Sequence, residues 1–234
     1  MYSFVFKLSC DYFEVLMVDF TQARQNMIDC QLRTNEIADE ALVEAFLHVP
    51  REVFVEPKFQ GVAYTDNDVS IGFGRHLIAP MIFGRLLQAL NAQPEEVALD
   101  IGCGTGYSSS VLAQLVTTVV ALESEKQLAL TAEKNFRELA VDNAVLVEGV
   151  LEEGYATQGP YDIINFSAGI PFIPSTLKSQ LSDGGRLCAV VMKNDEIGKA
   201  VVMTNRNGIF SEHILFEAHV AILPGFKVDK GFKF

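Results

Sequence analysis

The chain has 234 residues, of which 49% are hydrophobic and 21% charged, so it can bury the core of one domain with an N-terminal addition. Its formal net charge of −12 argues against nucleic acid and against a membrane as partners, because both attract basic proteins. No apolar run approaches the roughly 18 residues that a membrane-spanning helix needs.

Cysteine and histidine positions indicate neither disulfides nor a metal site. The four cysteines and four histidines are scattered, without a CxxC pair or the spacing of a zinc site. We therefore expect no metal. A chain of this length does not need disulfides, so we also expect a reducing compartment and a cytoplasmic protein. The N-terminus lacks the cleavage site of a signal peptide. Met17 is a more natural first residue for the protein. We therefore expect residues 1–16 to be a disordered tail or the product of an incorrectly assigned upstream start.

Helices are predicted in the first part of the chain. Between residues 20 and 47, apolar side chains recur every three or four positions, with a break near residues 33–35 that indicates two helices. A loop with short strands follows Pro50, and a third helix follows Pro80. We therefore expect residues 17–96 to form an N-terminal helical cap.

From residue 97 onward, short apolar strands alternate with helical segments. The strands begin with residues 97–101 and 118–123 and are almost continuously apolar, as in a parallel sheet that helices cover on both faces. The last two strands are longer and are joined at Asn207 and Gly208, a pair typical of antiparallel hairpin turns. The sequence therefore predicts an α/β fold with a mostly parallel sheet and an antiparallel edge hairpin.

A glycine-rich loop follows the first of these strands, in the sequence VALDIGCGTGYSSS. Gly102, Gly104 and Gly106 let the backbone turn sharply and approach a ligand, because no Cβ stands in the way. Glu123 ends the next strand, where a carboxylate can accept hydrogen bonds from both hydroxyls of a ribose. Together, the loop and the acid predict a nucleoside ligand.

The residues around the loop favour S-adenosylmethionine (AdoMet) as that ligand. In the dinucleotide fingerprint GxGxxG, the third glycine would fall on Tyr107. Asp100, directly before the loop, places a negative charge where a pyrophosphate would lie, and this charge suits the sulfonium and ammonium groups of AdoMet. A nicotinamide dinucleotide and a purely structural glycine turn are the alternatives.

Several segments resemble the protein-L-isoaspartate O-methyltransferase family over nearly the whole chain after Met17. The matching segments are VPREVFV (49–55), AYTDNDVSIGFG (63–74), LDIGCGTGYSS (99–109), VVALE (119–123), YDIINFSAG (161–169) and LSDGGRLCAVV (181–191). The resemblance implies a Rossmann-like, seven-stranded methyltransferase sheet. It also implies that residues 17–96 hold the helical cap and a substrate lid, and that residues 97–234 form the AdoMet-binding domain.

The resemblance implies a role for each matching residue of the cofactor site. Asp100, Gly102, Gly104 and Gly106 would lie at the methionine end of AdoMet, with Cys103 among them as a small filler or, alternatively, a reactive thiol. Glu123 and Ser124 would bind the ribose. The family has an Asp-Gly pair at the adenine, whereas this chain has Val150 and Leu151, which can enclose the ring without a side-chain hydrogen bond.

The lid is where the chain departs from the family pattern, Gly-Gln-Thr-Ile-Ser-x-Pro. Aligned on Gly74 and Pro80, Arg75 replaces Gln, His76 replaces Thr and Ile78 replaces Ser, so both acceptor-facing hydroxyls are lost. In one interpretation these three positions are catalytic: Arg75 holds the acceptor carboxylate, and His76 donates a hydrogen bond or acts as a base. In the other interpretation, Arg75 and His76 face solvent, and the apolar residues Leu77 and Ile78 pack the lid.

Further polar residues and the C-terminal tail are weaker candidates. Asn165 and Ser167 end the fourth parallel strand, where they would face the methyl group or cap the strand. The tail alternates lysine with phenylalanine and would fold back on the domain or dock a partner. These are Lys227, Lys230, Lys233, Phe226, Phe232 and Phe234.

The resemblance implies an AdoMet-dependent O-methyltransferase whose acceptor is the free carboxylate of isoaspartyl residues in damaged proteins. The protein partner would be a protein or peptide that carries isoaspartate. A methyltransferase with another acceptor and a catalytically silent AdoMet-binding protein are the alternatives. An NAD-type oxidoreductase is disfavoured by Tyr107.

Overall fold

The computed structural model describes residues 19–192 and 197–226, so the predicted tail at 1–16 and most of the Lys/Phe segment lie outside the described residues. Helix α1 (Phe20–Met27) begins at Asp19 and continues as a π-helical turn (Ile28–Leu32) and a 3₁₀ turn (Arg33–Asn35). Helix α2 (Glu40–His48) begins at Asp39, whose side chain accepts hydrogen bonds from two backbone N–H groups. The predicted break between two helices is confirmed.

A short hairpin separates these helices from the main sheet. After two 3₁₀ turns (Arg51–Phe54 and Pro57–Val62), strand β1 (Val69–Gly72) pairs antiparallel with β2 (Arg75–Leu77). We call residues 69–77 the lid hairpin. Helix α3 (Pro80–Leu90) follows, with Pro80 in its first turn.

The main sheet has seven strands in the order β5-β4-β3-β6-β7-β8-β9. Strands β3 to β7 pair in parallel, and β8 and β9 add an antiparallel edge hairpin, so the predicted fold class is confirmed. The bounds are β3 (Val97–Ile101), β4 (Thr118–Glu123), β5 (Ala144–Glu148), β6 (Tyr161–Ile170), β7 (Leu181–Val191), β8 (Gly198–Arg206) and β9 (Ile209–Ala218). Helices α4 (Tyr107–Ala113), α5 (Lys126–Glu138) and α6 (Ser175–Lys178) and a 3₁₀ turn (Ala156–Gln158) lie between strands.

One sequence-based detail differs in the sheet. The sequence Asp-Gly-Gly at residues 183–185 is typical of a tight turn, but residues 181–191 form one strand, β7. The ladder shifts register between Tyr161 and Ile163, which face Leu181 and Arg186, so the extra residues bulge out of the strand. Gly184, with φ +80°, permits this irregular backbone.

The strand order creates a crevice at the carboxyl ends of β3 and β6. The chain runs outward from β3 to β5 and then returns to β6 on the other side of β3. Loops leaving β3 and β6 therefore diverge, and ligands bind at such a switch point in open α/β sheets. Asp100 and Asn165 are register partners at this place.

The cap and the sheet share one hydrophobic core. One cluster of buried side chains joins Leu32 and Phe46 of the cap to Val119 and Ile163 of the sheet. The described residues on both sides of residue 97 therefore pack together. The division into two domains at this residue stays a prediction from the sequence. Within the described ranges, no helix has the length and apolar character to cross a membrane.

A segment after β9 returns to the switch point. Ala221 donates its N–H to Asp68, which lies just before the lid hairpin. The N–H of Leu223 donates to the carbonyl of Gly169 at the end of β6, over 2.8 Å. Phe226 packs edge-on against Phe166, with ring centroids 5.7 Å apart. We call residues 221–226 the C-terminal strap; its position agrees with a folded-back tail as far as the described residues reach.

Candidate active site

The glycine-rich loop lies beneath the lid hairpin and the C-terminal strap. Gly102 and Gly104 have φ of +72° and +58°, which favours glycine at both positions. A Cβ on Gly104 would lie 2.5 Å from Cδ1 of Ile71 in the lid hairpin. A Cβ on Gly102 would lie 2.7 Å from Cδ1 of Leu223 in the strap. The loop therefore packs so closely against the lid hairpin and the strap that any residue larger than glycine would clash at these two positions.

Asp100 lies fully buried beneath this loop. Its carboxylate accepts hydrogen bonds from Ser108 and Ser109, each over 2.6 Å, and from the amide of Asn165 over 2.7 Å. Burial raises the pKa of Asp100, and the three hydrogen bonds oppose that shift. All three donors are neutral, so they leave the negative charge in place. Asp100 can therefore favour a cationic ligand through its field.

Glu123, at the end of β4, is also fully buried. Its Oε1 accepts from the backbone N–H groups of Ser124 and Glu125 over 2.7 and 2.9 Å, and its Oε2 accepts from the N–H of Gly104 over 3.0 Å. These bonds fix the carboxylate against the glycine-rich loop. It stands where the sequence predicts a ribose-binding acid.

Arg75 of the lid hairpin reaches across to this carboxylate. Its Nη2 donates to Oε1 of Glu123 and to the hydroxyl oxygen of Ser124, over 2.9 Å each, and its Nη1 donates to the carbonyl of Pro224 over 3.3 Å. Only 5% of the Arg75 side chain is exposed. The sequence predicts an Arg75 that either faces the acceptor or is solvated. The structure corrects the second expectation, because Arg75 is buried and joins the lid hairpin to Glu123 and the strap. A contact between Arg75 and the acceptor stays a prediction.

His76 and Ile78 differ in what they offer to a ligand. His76 is half-buried and lines two adjoining cavities between the lid hairpin and the glycine-rich loop. Ile78 is 2% exposed, packs into the core, and offers only its carbonyl, which accepts from Nη2 of Arg51 over 2.8 Å. Its side chain therefore has no acceptor chemistry and keeps the lid packed.

Asn165 and Ser167 have different positions in the site. The Asn165 amide donates to Asp100 and to the hydroxyl of Ser167, over 2.7 and 2.9 Å, so it orients the acid. Ser167 lines both cavities beside His76. Asn165 is thus a positioning residue, and Ser167 is the one of the two that faces the open space.

Three further expectations concern residues at the edge of the site. Cys103 is buried against Ala121, Ala132 and Phe136, and burial raises the pKa of its thiol well above the usual range, so it acts as a filler. Val150 is 54% exposed, whereas Leu151 packs into the core. An adenine contact by this pair stays a prediction, and it would fall to Val150 and the backbone.

Arg51 and Tyr107 are site residues that the sequence did not assign. Arg51 stands within the apolar segment VPREVFV, and a charged side chain among apolar neighbours is the signal that could have indicated a buried role. Tyr107 enters the sequence argument only as the missing third glycine. Both line the cavity above Gly102 and Gly104.

A Rossmann-like sheet with this glycine-rich loop and an acid at the carboxyl end of both β3 and β4 defines an AdoMet-dependent methyltransferase. The family described as Protein-L-isoaspartate(D-aspartate) O-methyltransferase (PCMT) matches the chain over residues 22–222. The chain therefore belongs to the protein-L-isoaspartate(D-aspartate) O-methyltransferase family.

Curated relatives and solved structures agree with this membership. The chain is 37% identical to the protein-L-isoaspartate O-methyltransferase of Herpetosiphon aurantiacus over 80% of its length and 83% of the relative. It is 34% identical to the Photorhabdus laumondii enzyme over 88% and 98%. A Plasmodium falciparum protein-L-isoaspartate O-methyltransferase, solved in complex with S-adenosyl-L-homocysteine, shares the fold with a TM-score of 0.73, 22% identity, and coverage of 88% and 98%.

Proposed function

We propose that this protein transfers a methyl group from AdoMet to the free carboxylate of L-isoaspartyl residues in damaged proteins, as a cytoplasmic repair enzyme. The observation that carries the proposal is the contact between Arg75 and Glu123. Through it, the lid hairpin lies directly over the glycine-rich loop, which supports an acceptor site next to the cofactor site. The free thiols of Cys30, Cys103 and Cys188 suit a reducing compartment.

The residues around the loop fit AdoMet. Gly102 and Gly104 line a cavity, and the buried carboxylates of Asp100 and Glu123 suit a cation and a ribose. AdoMet supplies an electrophilic methyl group on a sulfonium. Arg75 already donates a hydrogen bond to Glu123, so Arg75 and the ribose hydroxyls compete for one carboxylate.

An acceptor carboxylate needs positioning more than activation. A carboxylate is ionised at neutral pH and is already a nucleophile, so no base has to remove a proton. The chain's residues then have to align it in line with the methyl group and exclude water. The lid hairpin and the strap cover the loop, and His76 and Ser167 line the space beneath them. His76 is therefore the lid residue best placed to contact the acceptor.

The test uses methyl-labelled AdoMet and a matched pair of peptides, one with isoaspartate and one with aspartate at the same position. Base-labile methyl ester on the isoaspartyl peptide alone is the expected result. It would mean that the activity persists without the Thr and Ser hydroxyls. Confirmed AdoMet binding without label on either peptide would reject isoaspartate as acceptor and favour another acceptor or a silent binding role.

A further inference from the structure

Three buried polar atoms in the described part of the chain lack a hydrogen-bond partner and surround one cavity. They are Nη1 of Arg51, the hydroxyl oxygen of Tyr107 and Nδ1 of His76. All three residues line the cavity that lies between the lid hairpin, α3 and the glycine-rich loop. Buried polar groups are normally paired, so their coincidence at one place needs an explanation.

Arg51 is a buried cation without a buried anion. Its side chain is fully buried, its Nε donates to the carbonyl of Ala63 over 2.6 Å, and its Nη2 donates to the carbonyl of Ile78 over 2.8 Å. Both acceptors are neutral, and no carboxylate of the described residues pairs with the guanidinium. Since an unpaired buried charge is costly, the arrangement favours an incoming anion.

Tyr107 places a hydrogen-bond donor beside that cation. Cζ of Arg51 lies 4.9 Å from the centroid of the Tyr107 ring, and Phe54 and Phe83 hold the ring from other sides, with centroids 5.4 and 5.8 Å away. Burial raises the pKa of Tyr107, and the charge of Arg51 and the direct interaction of its guanidinium with the phenol only partly oppose this. The phenol therefore stays protonated and can donate.

The size of the cavity suits a small group. Its enclosed part has room for about one water molecule. A carboxylate oxygen placed between the guanidinium and the phenol would fit there, and a bulky side chain would not. The cavity is bounded on one side by Gly102, Gly104 and Ser108, so the rest of the ligand would extend along the glycine-rich loop or towards the lid hairpin.

We propose that Arg51 and Tyr107, with His76 on the lid hairpin side, form a subsite that binds a carboxylate. Two ligands of the proposed function carry one: the methionine part of AdoMet and the isoaspartyl acceptor. The choice between these two sources rests on the proposed function. The subsite itself rests on the three unpartnered atoms.

The decisive variant is Tyr107→Phe, which removes one oxygen and keeps the ring. Titration calorimetry gives the dissociation constants of AdoMet and of decarboxylated AdoMet, which lacks only the carboxylate. If the subsite binds the cofactor, the wild-type protein prefers AdoMet, and Tyr107→Phe loses about tenfold of that preference. The matched control is Tyr161→Phe, which removes a buried hydroxyl bonded to the carbonyl of Tyr155 away from the site and should leave the preference unchanged.

The second arm tests the acceptor. If Tyr107→Phe keeps the preference for AdoMet but raises the KM of the isoaspartyl peptide about tenfold, the subsite holds the acceptor carboxylate. If the variant changes neither the preference nor the KM, the proposal is overturned.

A third measurement separates the subsite from the proposed function. The Nε–H resonance of Arg51 in ¹⁵N-labelled protein is followed during titration with acetate and with acetamide. For wild-type protein that binds no AdoMet, a shift with acetate alone would reject the proposed function and support the subsite. If such a protein shows no shift with either acetate or acetamide, both the proposed function and the carboxylate subsite are rejected.

Discussion

The glycine-rich loop and the lid hairpin face each other across the active site, and they relate differently to the family. The loop matches the family pattern through Asp100 and its glycines, and it acts through backbone shape and buried charge. The lid hairpin and the residue that follows it depart from the family pattern, with Arg75 in place of Gln, His76 in place of Thr and Ile78 in place of Ser.

The altered lid hairpin also contacts the half of the site that matches the family. Arg75 joins the altered lid to Glu123 of the matching half, in an ion pair of 2.9 Å between side chains that are 5% and 0% exposed. A change in the acceptor half can therefore alter cofactor binding. The two halves are coupled through one guanidinium, and the following experiments test that coupling.

The largest effect is expected for Glu123→Ala. The variant removes the acid that would bind the ribose, so the affinity for AdoMet should fall at least tenfold. It also leaves Arg75 buried without its partner, which should lower the free energy of unfolding by about 3 kcal/mol. Calorimetric titration and chemical denaturation measure the two quantities.

Its matched control is Glu96→Ala. Glu96 pairs with Arg186 over 2.6 Å at the amino end of β3, away from the cofactor loop. This variant should lower stability and leave AdoMet binding unchanged. An unchanged dissociation constant in Glu123→Ala would remove Glu123 from the site.

A smaller effect of opposite sign is expected for Arg75→Gln, which restores the residue type of the family. Without the guanidinium, nothing competes with the ribose for Glu123, so AdoMet should bind about fivefold more tightly, or about 1 kcal/mol. Arg33→Gln, which breaks an exposed pair with Glu40, should leave the affinity unchanged. Weaker binding by Arg75→Gln would show that Arg75 contacts the cofactor instead of competing with it.

The smallest effect is expected for the pH dependence of AdoMet affinity, which depends on Asp100 beneath the glycine-rich loop. Because burial raises the pKa of Asp100 in the folded protein, mild acid neutralises this carboxylate earlier than in the unfolded chain. The affinity for cationic AdoMet should therefore fall as pH is lowered, and the fall should begin at a higher pH than an aspartate with the usual pKa would cause. The folding stability changes in the opposite direction: the contribution from the raised pKa of Asp100 is present below the unfolded pKa and is lost as pH rises through the folded pKa.

Asp100→Asn supplies the control for this dependence. The variant should bind AdoMet weakly, with an affinity that changes little as pH is lowered. If its affinity changes as steeply as that of the wild-type protein, another group titrates.

The elements that follow from local pattern could be predicted from the sequence. Strand alternation, the glycine-rich loop and the Asn207–Gly208 hairpin each depend on neighbouring residues, and the structure has all three. The family resemblance added the seventh strand and the position of the lid.

The contacts that make this site particular join distant parts of the chain. Arg75 and Glu123 are 48 positions apart, and Arg75 and Pro224 are 149 apart. No periodicity links such residues, and a long cation such as Arg75 can reach in several directions. The sequence therefore identified Arg75 as a residue of interest but could not indicate that its guanidinium pairs with Glu123.

The C-terminal strap implies an order of assembly during synthesis. Asp68 accepts hydrogen bonds from Ala79 beside the lid hairpin and from Ala221 of the strap, and Pro224 completes the bonds of Arg75. A nascent chain can form its glycine-rich loop and lid hairpin early, but the strap follows the last strand of the sheet. The cofactor site therefore cannot close until the whole sheet has been translated, which delays a competent enzyme until its scaffold is complete.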